Sequence, residues 1–139
     1  MTITFRYKNV PRKNDTDAIS PSIPVTIVGS ITSLDVVALL DTGADLSVMS
    51  RSVAELIGLD LSGDKEETFG IGGAVKCVRT LMKISVNNSH EKYSFKIPVM
   101  VLLNNFDIDI LIGRQVFFDK FKITFDQEHK KILLKRNNN

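Results

Sequence analysis

Val36-Val37-Ala38-Leu39-Leu40-Asp41-Thr42-Gly43-Ala44-Asp45 is an apolar run that delivers a carboxylate into a turn of small residues. The run starts at Leu34 and follows Ile23–Gly29, a segment rich in β-branched residues. The two segments predict a hairpin whose second strand, Leu34–Leu40, is buried on both faces. Placing an ionised Asp41 beside such a strand is costly unless the carboxylate is paired or hydrogen-bonded. A turn with a purely structural role would keep this Asp in water or use it to accept backbone hydrogen bonds. Asp-Thr-Gly alone does not separate that reading from a chemical one, because three residues recur by chance.

The flanking sequence reads mainly as β. Leu46–Met49 predicts a short strand and Arg51–Ile57 a short helix. Ser50 or Ser52 can cap the helix, Ser52 with Glu55 forms a capping-box pattern, and Gly58 suits its left-handed end. A polar stretch, Ser62–Glu67, leads to Phe69-Gly70-Ile71-Gly72-Gly73, which reads as the tip of a mobile hairpin. Val75–Val86 and Lys92–Leu103 predict strands about a turn at Asn87–His90. Phe106–Ile112 is a second very apolar strand, ending in Gly113-Arg114, and Gln115–Lys120 allows one or two helical turns. Phe121–Asp126 and Lys131–Lys135 predict a final hairpin.

At the start, Thr2–Tyr7 predicts a strand. Residues 9–22, with Pro11 and Pro21 and with Pro24 just after, predict a loop. This divides the chain into an N-terminal strand and linker (1–20), a body (21–136) and a frayed tail (137–139). No internal repeat is visible. Two short helices among eight or more strands predict an all-β, closed or folded-over structure.

With 139 residues the chain suits one domain that buries its own core. Lys and Arg number 18 against 16 Asp and Glu, a net charge of +2 that does not argue for nucleic-acid or membrane partners. Lys120, Lys122, Lys130, Lys131, Lys135 and Arg136 make the C-terminal stretch locally basic, which reads as a solvated strand face. Cys77 is the single cysteine, so no intrachain disulfide forms and no metal site is suggested; it reads as a small buried apolar residue. The first residues lack the apolar core of a signal peptide and no run reaches a membrane span, so a cytoplasmic location is expected.

Three motifs in order resemble the retropepsin-like aspartic proteases, the retroviral proteases and their cellular and bacterial relatives. Ala38-Leu39-Leu40-Asp41-Thr42-Gly43-Ala44-Asp45 is similar to the family's catalytic segment. Gly70-Ile71-Gly72-Gly73 is similar to the tip of its flap, and Ile110-Leu111-Ile112-Gly113-Arg114 to its second apolar strand and the Gly-Arg that follows. The motifs span residues 38–114, and the strand pattern extends the likeness to about 20–136. The resemblance implies an all-β, homodimeric retropepsin-like fold. It also implies an endopeptidase that holds a water between two Asp41 carboxylates, one from each chain, with no metal or organic cofactor.

The resemblance further implies roles for single residues. Asp41 is the expected catalytic carboxylate. Thr42 is expected to hydrogen-bond across the dimer axis, and Gly43 to present its carbonyl to substrate. Ala44 would line the floor of the site. Asp45 would pair with Arg114 in a bidentate bridge and help bind substrate. Gly70, Ile71, Gly72 and Gly73 would close over an extended peptide with apolar residues flanking the cut. Leu111 and Asp109 complete the expected substrate contacts; Asp109 is equally readable as part of a polar loop, but in the cleft it would favour basic substrate side chains.

The chemistry explains why one motif is half a site. Hydrolysis of an amide needs a base for water and an acid for the carbonyl oxygen. Two carboxylates held close cannot both ionise cheaply, so they share one proton and divide the roles. A chain with one such Asp then needs a two-fold axis through the site. Family members with Ser or Thr in the place of Ala44 donate a hydroxyl hydrogen bond to the carboxylate, which favours its charged form. Alanine cannot, so activity is expected to peak in the weakly acidic range rather than below about pH 3.

Two features depart from the retroviral pattern. In those enzymes the chain termini build much of the dimer interface, whereas here a whole hairpin, Phe121–Lys135, follows the second helix. Asp107 and Asp109 also precede the second apolar strand, where mostly apolar contacts are expected. Two other functions compete: a catalytically weak dimerisation or peptide-binding module, and a nucleic-acid-associated domain. The latter lacks support from basic–aromatic interleaving or a zinc knuckle.

Overall fold

A computed structural model describes residues 2–10, 18–70, 73–88, 90–104 and 108–138. The elements in chain order are β1 (Thr2–Arg6), β2 (Lys8–Val10), β3 (Ala18–Ser20), β4 (Ser22–Val28), β5 (Ser33–Leu40) and β6 (Ser47–Ser50). They continue with α1 (Arg51–Ile57), β7 (Lys65–Gly70), β8 (Gly73–Asn87), β9 (Lys92–Leu102), β10 (Ile110–Ile112), α2 (Phe117–Lys120), β11 (Phe121–Asp126) and β12 (Lys131–Arg136). The fold is all-β with two short helices, as the alternating pattern predicts.

Seven strands form one sheet in the order β4-β5-β10-β6-β9-β8-β7, and an added β4–β8 pairing closes all but β7 into a ring. The closure uses three residue pairs, Thr26↔Ser85, Ile27↔Ile84 and Val28↔Lys83. Pro24 has no N–H to give and lies in the part of β4 that β8 does not pair. Inside the ring, Ile23, Val25, Ile27, Ala38, Leu40, Met82, Ile84, Val86, Ile97, Val99, Val101, Ile110 and Ile112 make the core. Their period of two along each strand is the reason one face of every strand is dry.

A second sheet, β1-β12-β11, joins the two ends of the chain. Its inner face contributes Ile3, Phe121, Ile132 and Leu134 to the same core. Phe117 and Phe121 pack with ring centroids 5.2 Å apart, and Phe95 touches both rings. A small two-stranded ladder, β2–β3, is separate from both sheets in its hydrogen bonding.

Local features differ from the sequence reading in five places. The expected loop at 9–22 contains β3 and part of β2, because Lys8–Val10 finds a partner in Ala18–Ser20. Strand β5 is not buried on both faces: its first half alternates and Val37 is 45% exposed, since β10 covers only its last three residues. The helix begins at Arg51, so Ser50 is the N-cap, without a side-chain cap bond, and Ser52 cannot form the capping box. Glu55 bonds Arg51 instead, at 2.7 Å. The second apolar strand shrinks to Ile110–Ile112; Phe106 and Asp107 lie outside the described residues. Asn137 is anchored rather than frayed, its N–H donating to Lys120 O at 2.9 Å and its side chain to Asp119 O at 2.8 Å.

Candidate active site

Strands β5 and β10 run parallel, with Ala38, Leu39 and Leu40 beside Ile110, Leu111 and Ile112. Both strands therefore end at the same level, and the Asp41 turn emerges beside Gly113-Arg114. Hydrogen bonds then stitch the two loops together. Asp41 N–H donates to Ile112 O at 2.9 Å, Arg114 N–H to Ala44 O at 2.8 Å, and Gln115 N–H to Asp45 O at 2.9 Å. Gly113 N–H donates to the buried Ser47 hydroxyl at 3.1 Å. Gly113 permits this crossing: a Cβ there would lie 2.4 Å from Leu46 O.

Asp41 is half-buried at the floor of this crossing. Its Oδ1 accepts the Gly43 N–H at 2.9 Å, and among the described residues Oδ2 has no hydrogen-bond partner. Gly43 sits so close that a Cβ would be 3.3 Å from Oδ1. Thr42 and Gly43 are exposed, and Ala44 is half-buried. The turn is closed by Ala44 N–H donating to Asp41 O at 3.3 Å. A single carboxylate thus has one oxygen held by the turn and one open, in a loop whose tip faces outward.

Arg114 fixes the loop from the other side. Its Nη2 bonds Asp45 Oδ1 in a short ion pair, and its Nη1 donates to Thr42 O at 2.5 Å. The expected bidentate carboxylate bridge is therefore divided: the guanidinium spans a carboxylate and a carbonyl, because Thr42 O comes within reach of the second nitrogen. Asp45 remains 73% exposed, so its other oxygen is accessible. Leu111 is half-buried, between Leu39 on β5 and Val48 on β6.

The structure gathers Asp41, Thr42, Gly43, Ala44, Asp45, Leu111 and Arg114 at one end of the ring. It does not bring Asp109 among them: Asp109 is exposed ahead of β10, with no hydrogen bond or ion pair among the described residues. Gly70 and Gly73 face each other at the end of the β7–β8 hairpin, and Gly73 takes φ 106°, a left-handed backbone that glycine allows. Ile71 and Gly72 lie outside the described residues. At the base of this hairpin, Cys77 is 1% exposed; burial pushes its thiol pKa up, Glu66 adds to the rise and Arg79 opposes it.

Ser47, whose hydroxyl accepts the Gly113 N–H, is the residue of the crossing that the sequence reading missed. Its signal was a serine within the strand-like stretch Leu46–Met49, where a buried hydroxyl needs a partner. Among the described residues no group of three or more His, Cys, Asp or Glu side chains is placed to hold a metal. Among them, too, no helix is long and apolar enough to cross a membrane.

Comparisons with known proteins agree with this geometry. The aspartyl protease family profile matches residues 23–116, which includes both crossing loops and the hairpin. No curated protein matches the chain. Among solved structures, a retropepsin-like aspartic protease from Rickettsia conorii is similar over 96% of this chain and 90% of its own, with 15% identity and a TM-score of 0.58. The EIAV protease, complexed with the inhibitor HBY-793, is similar over 79% of this chain and 93% of its own, with 25% identity and a TM-score of 0.51. The retroviral protease-like domain of Ddi1 from Leishmania major covers 86% of this chain and 90% of its own, with 20% identity and a TM-score of 0.52. The chain belongs to the aspartyl protease family and has the retropepsin-like fold.

Proposed function

We propose that this chain is an aspartic endopeptidase that works as a homodimer, with one Asp41 from each copy facing the other across a two-fold axis. The observation that supports this is the state of Asp41: one oxygen is bonded by the Gly43 N–H and the other is open, on a loop whose Thr42 and Gly43 are exposed. One carboxyl cannot start amide hydrolysis as both base and acid. Two of them sharing a proton can. The ionised one takes a proton from water, whose oxygen bonds to the peptide carbonyl carbon. The protonated one gives its proton to the carbonyl oxygen. The tetrahedral species then collapses, the C–N bond breaks, and the amine leaves with a proton returned from the pair.

The remaining parts have matching roles in this reading. Thr42 joins the two loops across the axis. Asp45, held by Arg114, and the Gly43 carbonyl take the backbone of an extended peptide. The β7–β8 hairpin, with Gly70, Ile71, Gly72 and Gly73 at its end, covers the peptide and excludes water. Leu111 borders the floor, and Asp109 sets a preference for basic side chains if the dimer brings it to the cleft. Ala44 leaves the carboxylates without a hydroxyl donor, so the rate peaks at weakly acidic pH.

The test is a peptide-library digest with wild type and Asp41→Asn, with mass measured in solution under the same conditions. Cleavage that Asp41→Asn abolishes, with activity rising more steeply than protein concentration, is the expected result. Peptide capture without cleavage by the wild type would replace the enzyme with a binding module. An active monomer would overturn the shared-site reading.

A further inference from the structure

The β1-β12-β11 sheet has an outer face whose residues are exposed or half-buried among the described residues. Alternation puts Thr2, Thr4 and Arg6 of β1, Lys131, Leu133 and Lys135 of β12, and Lys122, Thr124 and Asp126 of β11 on that face. The register sorts them into three rows across the strands: Thr2–Lys135–Lys122, Thr4–Leu133–Thr124 and Arg6–Lys131–Asp126. Two pairs of like charge, Lys122 with Lys135 and Arg6 with Lys131, are thus direct cross-strand neighbours. Like charges directly opposite destabilise a sheet.

The charge on the face is not balanced locally. Among the described residues Arg6, Lys122, Lys131 and Lys135 form no ion pair. Asp126 is the single acid among the nine strand residues of the face, and both its oxygens are engaged by His129, through the backbone N–H at 3.1 Å and the ring at 2.8 Å. Lys131 acts on Asp126 electrostatically, at one end of its row. The row at the opposite end, Thr2–Lys135–Lys122, holds no acid. The sequence alone suggested a solvated strand face. The register adds that these cations are set against one another, a cost that an anionic partner would turn into binding.

We propose that this face is a docking surface for an acidic segment of another protein. The middle row, Thr4–Leu133–Thr124, offers two hydroxyls and one aliphatic side chain between the cationic rows, which suits a peptide with carboxylates spaced along it. Nucleic acid fits less well. The aromatic rings of these strands, Phe5, Phe121 and Phe125, lie on the inner face and pack on or within the core, so none is available to stack on a base. None of the nine residues of the face belongs to the Asp41 or Gly113 loops, and docking there does not depend on catalysis.

The experiment uses the full chain and a labelled peptide of alternating Glu and Ser, read by fluorescence anisotropy. Binding should weaken as salt is raised from roughly 50 mM to roughly 200 mM, because the contacts are exposed charges. The double variant Lys122→Glu/Lys135→Glu should bind at least about tenfold more weakly. Lys83→Glu/Lys96→Glu, which reverses another directly opposed pair on β8 and β9, should bind as wild type does. The melting temperature of single Lys135→Glu should be equal to or above that of wild type, since one like-charge contact becomes attractive. Absence of peptide binding, equal loss in the two double variants, or a lower melting temperature for Lys135→Glu would overturn the proposal. Tighter binding of a single-stranded RNA than of the peptide would do the same and assign the face to nucleic acid.

Discussion

The crossing of the Asp41 and Gly113 loops and the β7–β8 hairpin are built on opposite principles. At the crossing, every strand has partners on both sides: β10 lies between β5 and β6, and the loops beyond exchange backbone hydrogen bonds. In the hairpin, β7 pairs only with β8, and Phe69 is 82% exposed near the tip. The crossing uses glycine to let backbones touch. The hairpin uses glycine to reach a left-handed conformation, at a point where, among the described residues, nothing lies within 4 Å of the Cβ that a side chain would add to Gly73. Under the proposed function, a site that must hold a carboxylate still and a cover that must open need these different constructions.

The largest effect is expected at the crossing. Gly113→Ala would drive a Cβ to 2.4 Å from Leu46 O, and the obstacle is backbone, not a side chain that can turn away. The Gly113–Ser47 bond would be lost with it. Overpacking together with a broken buried hydrogen bond should cost about 4 kcal/mol or more. That corresponds to a melting temperature lower by roughly 10 °C, or a chain that does not fold. A variant melting within a degree or two of wild type would show that the loops do not cross this closely.

Arg114→Ala comes next. It removes the Asp45 pair and the bond to Thr42 O, both at a partly exposed position. Exposure limits the loss of stability to about 1 kcal/mol. Under the proposed function, however, Thr42 must be positioned for the partner chain, so turnover should fall by at least about tenfold at fixed protein concentration. Arg114→Lys should recover little, because one ammonium cannot serve two divergent acceptors. Equal loss of stability and activity, read from melting and peptide cleavage, would reduce Arg114 to a packing role.

The parts that were legible in the sequence are those governed by period and by local chemistry. The ring strands follow from alternation, and the Asp41 turn from an apolar run ending in small residues. The Asp45–Arg114 pair came through the family resemblance, since the two lie far apart in the chain. What stayed hidden depends on register and on three-dimensional neighbours. Whether Arg114 grips one carboxylate or divides its fork depends on where Thr42 O lands. Ser47 becomes meaningful only once Gly113 is beside it. Val116 takes φ 69°, unusual for a β-branched residue, where its N–H reaches Asp119 Oδ2 at 3.3 Å, and nothing in Gln115–Lys120 announces this. The pairing of β1 with β12 likewise joins residues from the two ends of the chain, which no local pattern encodes.

A smaller effect should separate the hairpin from the crossing. Gly73→Ala places a Cβ that meets no atom of the described residues within 4 Å but must adopt φ 106°, a strain of about 1 kcal/mol at a position outside the core. Global melting should barely move, while peptide cleavage slows if closure of the hairpin is part of turnover. The same substitution chemistry then gives opposite results at two glycines: collapse of the fold at Gly113, and a functional loss with the fold intact at Gly73. A large drop in melting temperature for Gly73→Ala would erase the contrast.

Cys77 marks the junction, paired with Glu66 on the hairpin side and with Leu102 on the ring side. Burial is the main reason its thiol pKa is raised, with Glu66 reinforcing the effect and Arg79 working against it. The raised value means that the neutral thiol is favoured in the folded state. The associated stability is fully present below the unfolded thiol value and is lost as pH rises through the folded one. At neutral pH, alkylation of native protein should be at least about tenfold slower than that of a small thiol, and fast after unfolding. Labelling at the rate of the small thiol would mean that the hairpin separates from the ring at its base. Slow labelling would confine any opening to the part of the hairpin beyond Cys77, where β8 has β7 but no longer β9 as a neighbour.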